Sequence, residues 1–175
     1  MKKSKASKKS KKKLLAESAD KNDLYERSVQ CAESEINFVD KHFEMLRNRK
    51  AKKLREDFCG TGLVSFEWVT RRKDNESVAV DLDSEVMAWG VSRHMDSLNR
   101  SQKNRIKFLE EDVMLVKTTP QDVVLATNFS YWCFKERKTL LGYFKNVREG
   151  LTEDGIFFVF FYGGYEAFLF LEEET

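Results

Sequence analysis

The chain has 175 residues, 41% of them hydrophobic with 14 Phe, enough for one globular core. Its net charge of +2 hides an asymmetry: eight of the 31 basic side chains lie in residues 1–13 (MKKSKASKKSKKK), so the other 162 residues carry 23 basic against 29 acidic side chains, a balance of −6. Cys31, Cys59 and Cys133 are far apart in sequence, with only His42 and His94 to join them. That pattern argues against a disulfide framework or a zinc site, and no run approaches the roughly 18 apolar residues of a membrane span.

The opening Lys/Ser run lacks the apolar side chains that would offset chain entropy, so residues 1–20 are expected to be a disordered tail. Such a tail is chiefly a solvated segment, with nucleic acid or an acidic partner as a weak contact candidate. The acidic body offers no basic groove interleaved with aromatics. LLAESAD, which follows, is unlike a secretory leader, and the expected location is cytoplasmic. Residues 21–175 are expected to form one domain.

Residues 31–47 (CAESEINFVDKHFEMLR) place Ile36, Val39, Phe43 and Leu46 at helical spacing. KKLREDF is a short extended run into a glycine turn, and GLVSFEWVTRR reads as the helix behind it, with Leu63 and Phe66 on one face. VAVDL is a buried strand ending at Asp81, and DSEVMAWGVSRHMDSL a helix that Asp83 or Ser84 can cap. RIKFLEED is a third strand, running into Glu110, Glu111 and Asp112.

After Pro120, QDVVLATNFSYW gives a fourth strand ending at Asn128. ERKTLLGYFKNVREGL then sets Leu140, Leu141, Phe144, Val147 and Leu151 at helical intervals. DGIFFVFFYGG is a fifth strand, apolar at consecutive positions as where both faces are covered. Strands alternating with helices predict an α/β fold with a doubly wound parallel sheet.

Ligands of such sheets sit beyond the carboxyl ends of the strands, where strand order reverses. The residues there are Glu56, Phe58, Gly60 and Gly62, then Asp81, then Asp112 and Val113, then Asn128. Gly60 and Gly62 let the backbone turn sharply, and the helix after them aims free N–H groups at the same place. Asp81 lies 19 residues beyond Gly62, the separation at which an acid ending the second strand accepts from ribose hydroxyls. Together these residues describe a nucleoside site.

EDFCGTG, VDLDSEVMAWG, EEDV, DVVLATNFSYW and LTEDGIFFVFF follow in order and spacing the motifs of the class I S-adenosylmethionine-dependent methyltransferases. Over residues 22–170 the chain resembles that family, and more narrowly a bacterial group with an REDFCGT turn. The resemblance implies a Rossmann-like sheet, S-adenosylmethionine as cofactor and methyl transfer to an acceptor it does not identify. It also implies that Glu56 receives the methionine amino group, that Gly60, Thr61 and Gly62 wrap the methionine moiety, and that Asp81, with Leu82 beside it, holds the ribose. Asp112 would take the adenine amino group, Val113 would offer its N–H to the ring, and Asn128 would close the methionyl end. Phe58 stands where the family has its first glycine, so its ring either forms a pocket wall or points away.

NFSY has the outline of the Asn-Pro-Pro-Tyr motif of some amine and amide methylases, but without either proline N-methylation does not carry over. Tyr131, Trp132 and Phe134 are candidates for an acceptor pocket or for packing under the next helix. Tyr25 is a candidate cover over the cofactor. Cys59 sits in the turn but has no base nearby in sequence, so structural filler is its expected role.

The family's sheet ordinarily has two further strands, so the chain is expected to be truncated after the fifth. IFFVFFY would then be an apolar edge that a second copy could cover in a homodimer. Two other readings stay open. Gly60-x-Gly62-x-x-Ser65 falls one glycine short of the fingerprint of an NAD-type oxidoreductase, and a scaffold protein could keep this fold without chemistry.

Overall fold

The structure, a computed structural model, describes residues 19–164. The Lys-rich run lies outside them, as do residues 165–175. Asp20, assigned above to the tail, is the first capping residue: its carboxylate accepts from the N–H groups of Asn22 and Asp23 at the start of α1 (Lys21–Val29). It also accepts from Trp89 Nε1 at 2.8 Å, tying α1 to a helix far along the chain.

α2 (Ala32–Arg47) buries Ile36, Val39 and Phe43, as their spacing predicts. Leu46 instead stays exposed, because the helix ends one residue later at the left-handed cap Asn48. The Arg49 guanidinium lies over the Phe43 ring there, at 4.9 Å from its centroid.

The remaining elements alternate: β1 (Lys53–Asp57), α3 (Leu63–Arg71), β2 (Glu76–Asp81), α4 (Ser84–His94), a 3-10 turn at Met95–Ser97, α5 (Arg100–Lys103), β3 (Ile106–Glu110) and β4 (Gln121–Ala126). A second 3-10 turn at Ser130–Cys133, α6 (Arg137–Gly150) and β5 (Leu151–Val159) complete the described fold. All the strand pairs are parallel, in the order β3-β2-β1-β4-β5. Strand order therefore reverses between β1 and β4.

Alternation along the central strands supplies a core on each face. Leu54, Val123 and Leu125 join Ile36, Val39, Phe43, Val64, Trp68 and Val69 on one side. Val80 and Val124 join Val113, Tyr131, Tyr143 and Val147 on the other.

The buried face of α6 differs from the expected one: Tyr143, Asn146 and Val147 are inside, while Leu141 and Phe144 are exposed. Polar bonds set that rotation. Tyr143 Oη donates to Asp57 Oδ2 at 2.9 Å, and Asn146 Nδ2 donates to the Val113 carbonyl at 2.7 Å. Arg55 and Asp57, both fully buried on β1, complete this network, with Arg55 Nη2 donating to Asp57 Oδ2 at 3.0 Å. β5 starts at Leu151, earlier than its apolar run, and is largely half-buried rather than covered on both faces, because among the described residues only β4 pairs with it.

Candidate functional site

The carboxyl ends of β1 and β4, on either side of the strand-order reversal, hold five of the seven described residues with positive φ: Phe58, Gly60, Gly62, Asn128 and Phe129. Three of these are not glycine, and strain of this kind costs about 1–3 kcal/mol at each position. It is retained where the backbone must be held in one shape.

The turn after β1 is built from both sides. Cys59 N–H donates to Val80 O, Gly60 N–H to Asp81 Oδ2 at 2.7 Å, and Gly62 N–H to Cys59 O. Gly62 is the left-handed cap of α3, where a Cβ would also stand 2.6 Å from the Phe108 ring. Behind the turn, a Cβ on Gly90 of α4 would lie 1.9 Å from the Thr61 carbonyl, so only glycine lets α4 back onto the loop. Gly90 escaped the sequence reading, although a glycine inside a helix pattern was the available signal.

Glu56 is buried behind the first turn of α3. Its Oε2 accepts from the Ser65 N–H at 2.9 Å and from Ser65 Oγ at 2.6 Å, and Ser77 Oγ supports Ser65 in turn. Burial pushes the Glu56 carboxyl up to about 8, with the charges of Glu35 and Asp81 adding to the rise against the Ser65 bonds. Tyr25, from α1, lies near Asn128 at this end: burial raises its phenol, and the charges of Glu35 and Glu56 both reach it. Thus Tyr25, Glu35, Glu56 and Asn128, from four different segments, are brought together.

A cleft of about 160 Å³ lies on the β2/β3 side, lined by Phe58, Asp81, Leu82, Asp112, Val113 and Phe134, among others. Phe58 is a wall of this cleft; its ring packs on Phe134 and Tyr143 at centroid distances of 5.9 and 5.8 Å. Asp81 accepts from Gly60 and Asp83 N–H groups, and Asp112 Oδ1 from Met114 N–H at 2.8 Å. The Val113 N–H finds no acceptor among the described residues, and Thr61 Oγ1 is buried without a partner.

A second cavity, of about 440 Å³, opens between α2 and the ends of β4 and β5. Tyr131, a candidate for an acceptor pocket, lines neither space: it is buried in the core and packs on Phe144 of α6, the alternative its sequence position allowed. Trp132 is partly exposed and stacks on Phe129, which does line the larger cavity. Cys59 is buried, and burial together with the charges of Glu56 and Asp81 pushes its thiol far up, leaving no thiolate to act. His42 and His94 are engaged elsewhere, with Phe38 O and Glu26. Among the described residues no helix is long and apolar enough to cross a membrane, and no group of three potential metal ligands occurs.

No protein-family model matches the chain, and no curated protein matches it in sequence. Solved structures do match in fold. The sugar N-methyltransferase KedS8 from Streptoalloteichus sp ATCC 53650 superposes with a TM-score of 0.67 over 95% of this chain at 17% identity. CalS10, an amino pentose methyltransferase from Micromonospora echinaspora solved with S-adenosylmethionine bound, gives 0.67 over 92% at 14% identity. The glycopeptide N-methyltransferase MtfA gives 0.59 over 75% at 18% identity, and has also been solved with sinefungin, S-adenosylhomocysteine and S-adenosylmethionine. The chain spans 54% of the length of MtfA, 61% of CalS10 and 62% of KedS8. The sheet order, the glycine turn and these superpositions together show the Rossmann-like fold of the class I methyltransferases.

Proposed function

We propose that this chain is an S-adenosylmethionine-dependent methyltransferase, with its cofactor held across the ends of β1 to β4 and its acceptor entering beside β4 and β5. The observation that carries the reading is the cleft that gathers Phe58, Asp81, Leu82, Asp112 and Val113 next to the glycine turn. The Val113 N–H in the cleft suits a ring nitrogen, and the Thr61 hydroxyl, buried in the adjacent turn, has no partner among the described residues.

Asp81 has spent one acceptor position on each oxygen, and a carboxylate offers about four, so both ribose hydroxyls can still be received. Asp112 keeps Oδ2 for an exocyclic amine. Glu56, Tyr25 and Asn128 form an acidic and polar end suited to an ammonium group, which would draw Glu56 back to its charged form. The bound donor supplies an activated methyl group on a sulfonium. The chain's own contribution is then chiefly to fix the line of approach and exclude water. Three free cysteines support a reducing, cytoplasmic address.

Calorimetric titration with S-adenosylhomocysteine and, separately, NADH tests the reading. Saturable binding of the first alone is expected. NADH binding alone would favour an oxidoreductase, and S-adenosylhomocysteine binding without methyl transfer from S-adenosylmethionine to any amine, hydroxyl or thiol acceptor would favour a scaffold.

A further inference from the structure

The 440 Å³ cavity is walled by Phe38, Phe129, Phe160 and Phe161, with Ser34 and, as the single ionisable side chain among the described residues, Glu35 at its edge. Phe129 directly follows Asn128, and both are held at positive φ, so a strained segment after β4 leads into this second space. Glu35 Oε1 accepts a long bond from the Cys31 N–H at 3.4 Å, while Oε2 is buried with no partner. Among the described residues Glu35 has no ion pair, and the groups that face it, Tyr25 from α1 and Glu56 from β1, are themselves acids. A half-buried carboxylate set among aromatic faces and other acids is costly without a cation, and the described residues supply none there.

We propose that this cavity binds an amine acceptor with an apolar or aromatic body, that the ammonium pairs with Glu35, and that Glu35 removes the proton which must leave before the nitrogen can attack. The methyl-transfer part rests on the methyltransferase reading; amine recognition rests on the cavity alone. The proton moves from R–NH3+ to Glu35, leaving R–NH2 with a free electron pair. That pair forms the N–C bond as the C–S bond of the sulfonium donor breaks, its electrons remaining on sulfur. The products are R–NH2–CH3+ and a neutral thioether, and Glu35 returns its proton to water. Burial raises the Glu35 carboxyl above its ordinary range, which strengthens it as a base.

The test compares 2-phenylethylamine with its neutral isostere 2-phenylethanol, each titrated into the full chain with and without saturating S-adenosylhomocysteine. The amine should bind about tenfold more tightly than the alcohol, and Glu35→Gln should erase that preference. Asp81→Ala should weaken S-adenosylhomocysteine and keep the preference for the amine. Equal affinities, no binding of either probe, or a preference surviving in Glu35→Gln would overturn the inference. The wild-type comparison decides even if the variant does not fold. Failure of S-adenosylhomocysteine to bind would instead refute the methyltransferase reading, while the amine titration still reads the cavity.

Discussion

At the end of the sheet where the strands begin, carboxylates have cations. Arg49 donates to both oxygens of Asp154 and to Asp122, joining the α2 cap to β4 and β5, and its bonds hold Asp154 down at about 2. Lys52 holds Asp74 low in the same way, Arg72 clasps Asp40, and Arg105 donates to the carbonyls of Val69, Arg72 and Asn75. At the end where the strands finish, acids stand against acids: Glu56 and Glu35 are pushed upward, buried oxygens lack partners, and the backbone is strained. One end is arranged for the chain's own stability. The other makes sense once something cationic and hydrogen-bonding occupies it.

The largest effect should come from closing the loop's packing space. Gly90→Val places carbon against the Thr61 backbone, which cannot yield as a side-chain tip can, and should cost about 3 kcal/mol or more by urea unfolding, with loss of S-adenosylhomocysteine binding. Next, Asp81→Ala removes both the Gly60 anchor and the proposed ribose acceptor, and should weaken S-adenosylhomocysteine roughly 100-fold by calorimetry.

Glu56 gives a subtler effect with a defined sign. Its folded value of about 8 lies above the ordinary 4.5, so between these pH values the folded chain holds a proton that the unfolded chain releases. Stability from this group is therefore complete below the ordinary value and is lost as pH rises through about 8. Glu56→Gln should flatten that dependence in melting curves. A bound ammonium should expel the proton, so at pH 7 binding enthalpies measured in phosphate and in Tris should differ by nearly the full difference between the two buffers' ionisation heats. The smallest effect belongs to the opposite end of the sheet: Asp154→Asn should lower the melting temperature slightly and leave S-adenosylhomocysteine affinity unchanged.

Much of this division was legible in the sequence, because strand ends are marked by residue type. KKLREDF, VAVDL, RIKFLEED and the run to Asn128 were read as strands and each overlaps one, although β4 stops at Ala126, two residues early, and Phe58, Asp81, Leu82, Asp112 and Val113 do line one cleft. Contacts that depend on the third dimension stayed hidden. Glu35 looked like one more polar residue on an amphipathic helix, and only the approach of α1, β1 and β5 gives it its setting. The rotation of α6 was misjudged because hydrophobic spacing favoured Leu141 and Phe144, whereas hydrogen bonds from Tyr143 and Asn146 decide which face turns inward. The short helix at Lys21–Val29 lacks a strong apolar stripe, and its bonds to α4 through Asp20, Asp23 and Glu26 are long-range.

The most direct test of the central claim is S-adenosylhomocysteine calorimetry on the wild-type chain, Asp81→Ala and Asp154→Asn, each checked for native circular dichroism. The account predicts one-to-one binding in the wild type and Asp154→Asn, and its near loss in Asp81→Ala. Well-folded wild-type protein with no binding, or equal binding in all three, would contradict it.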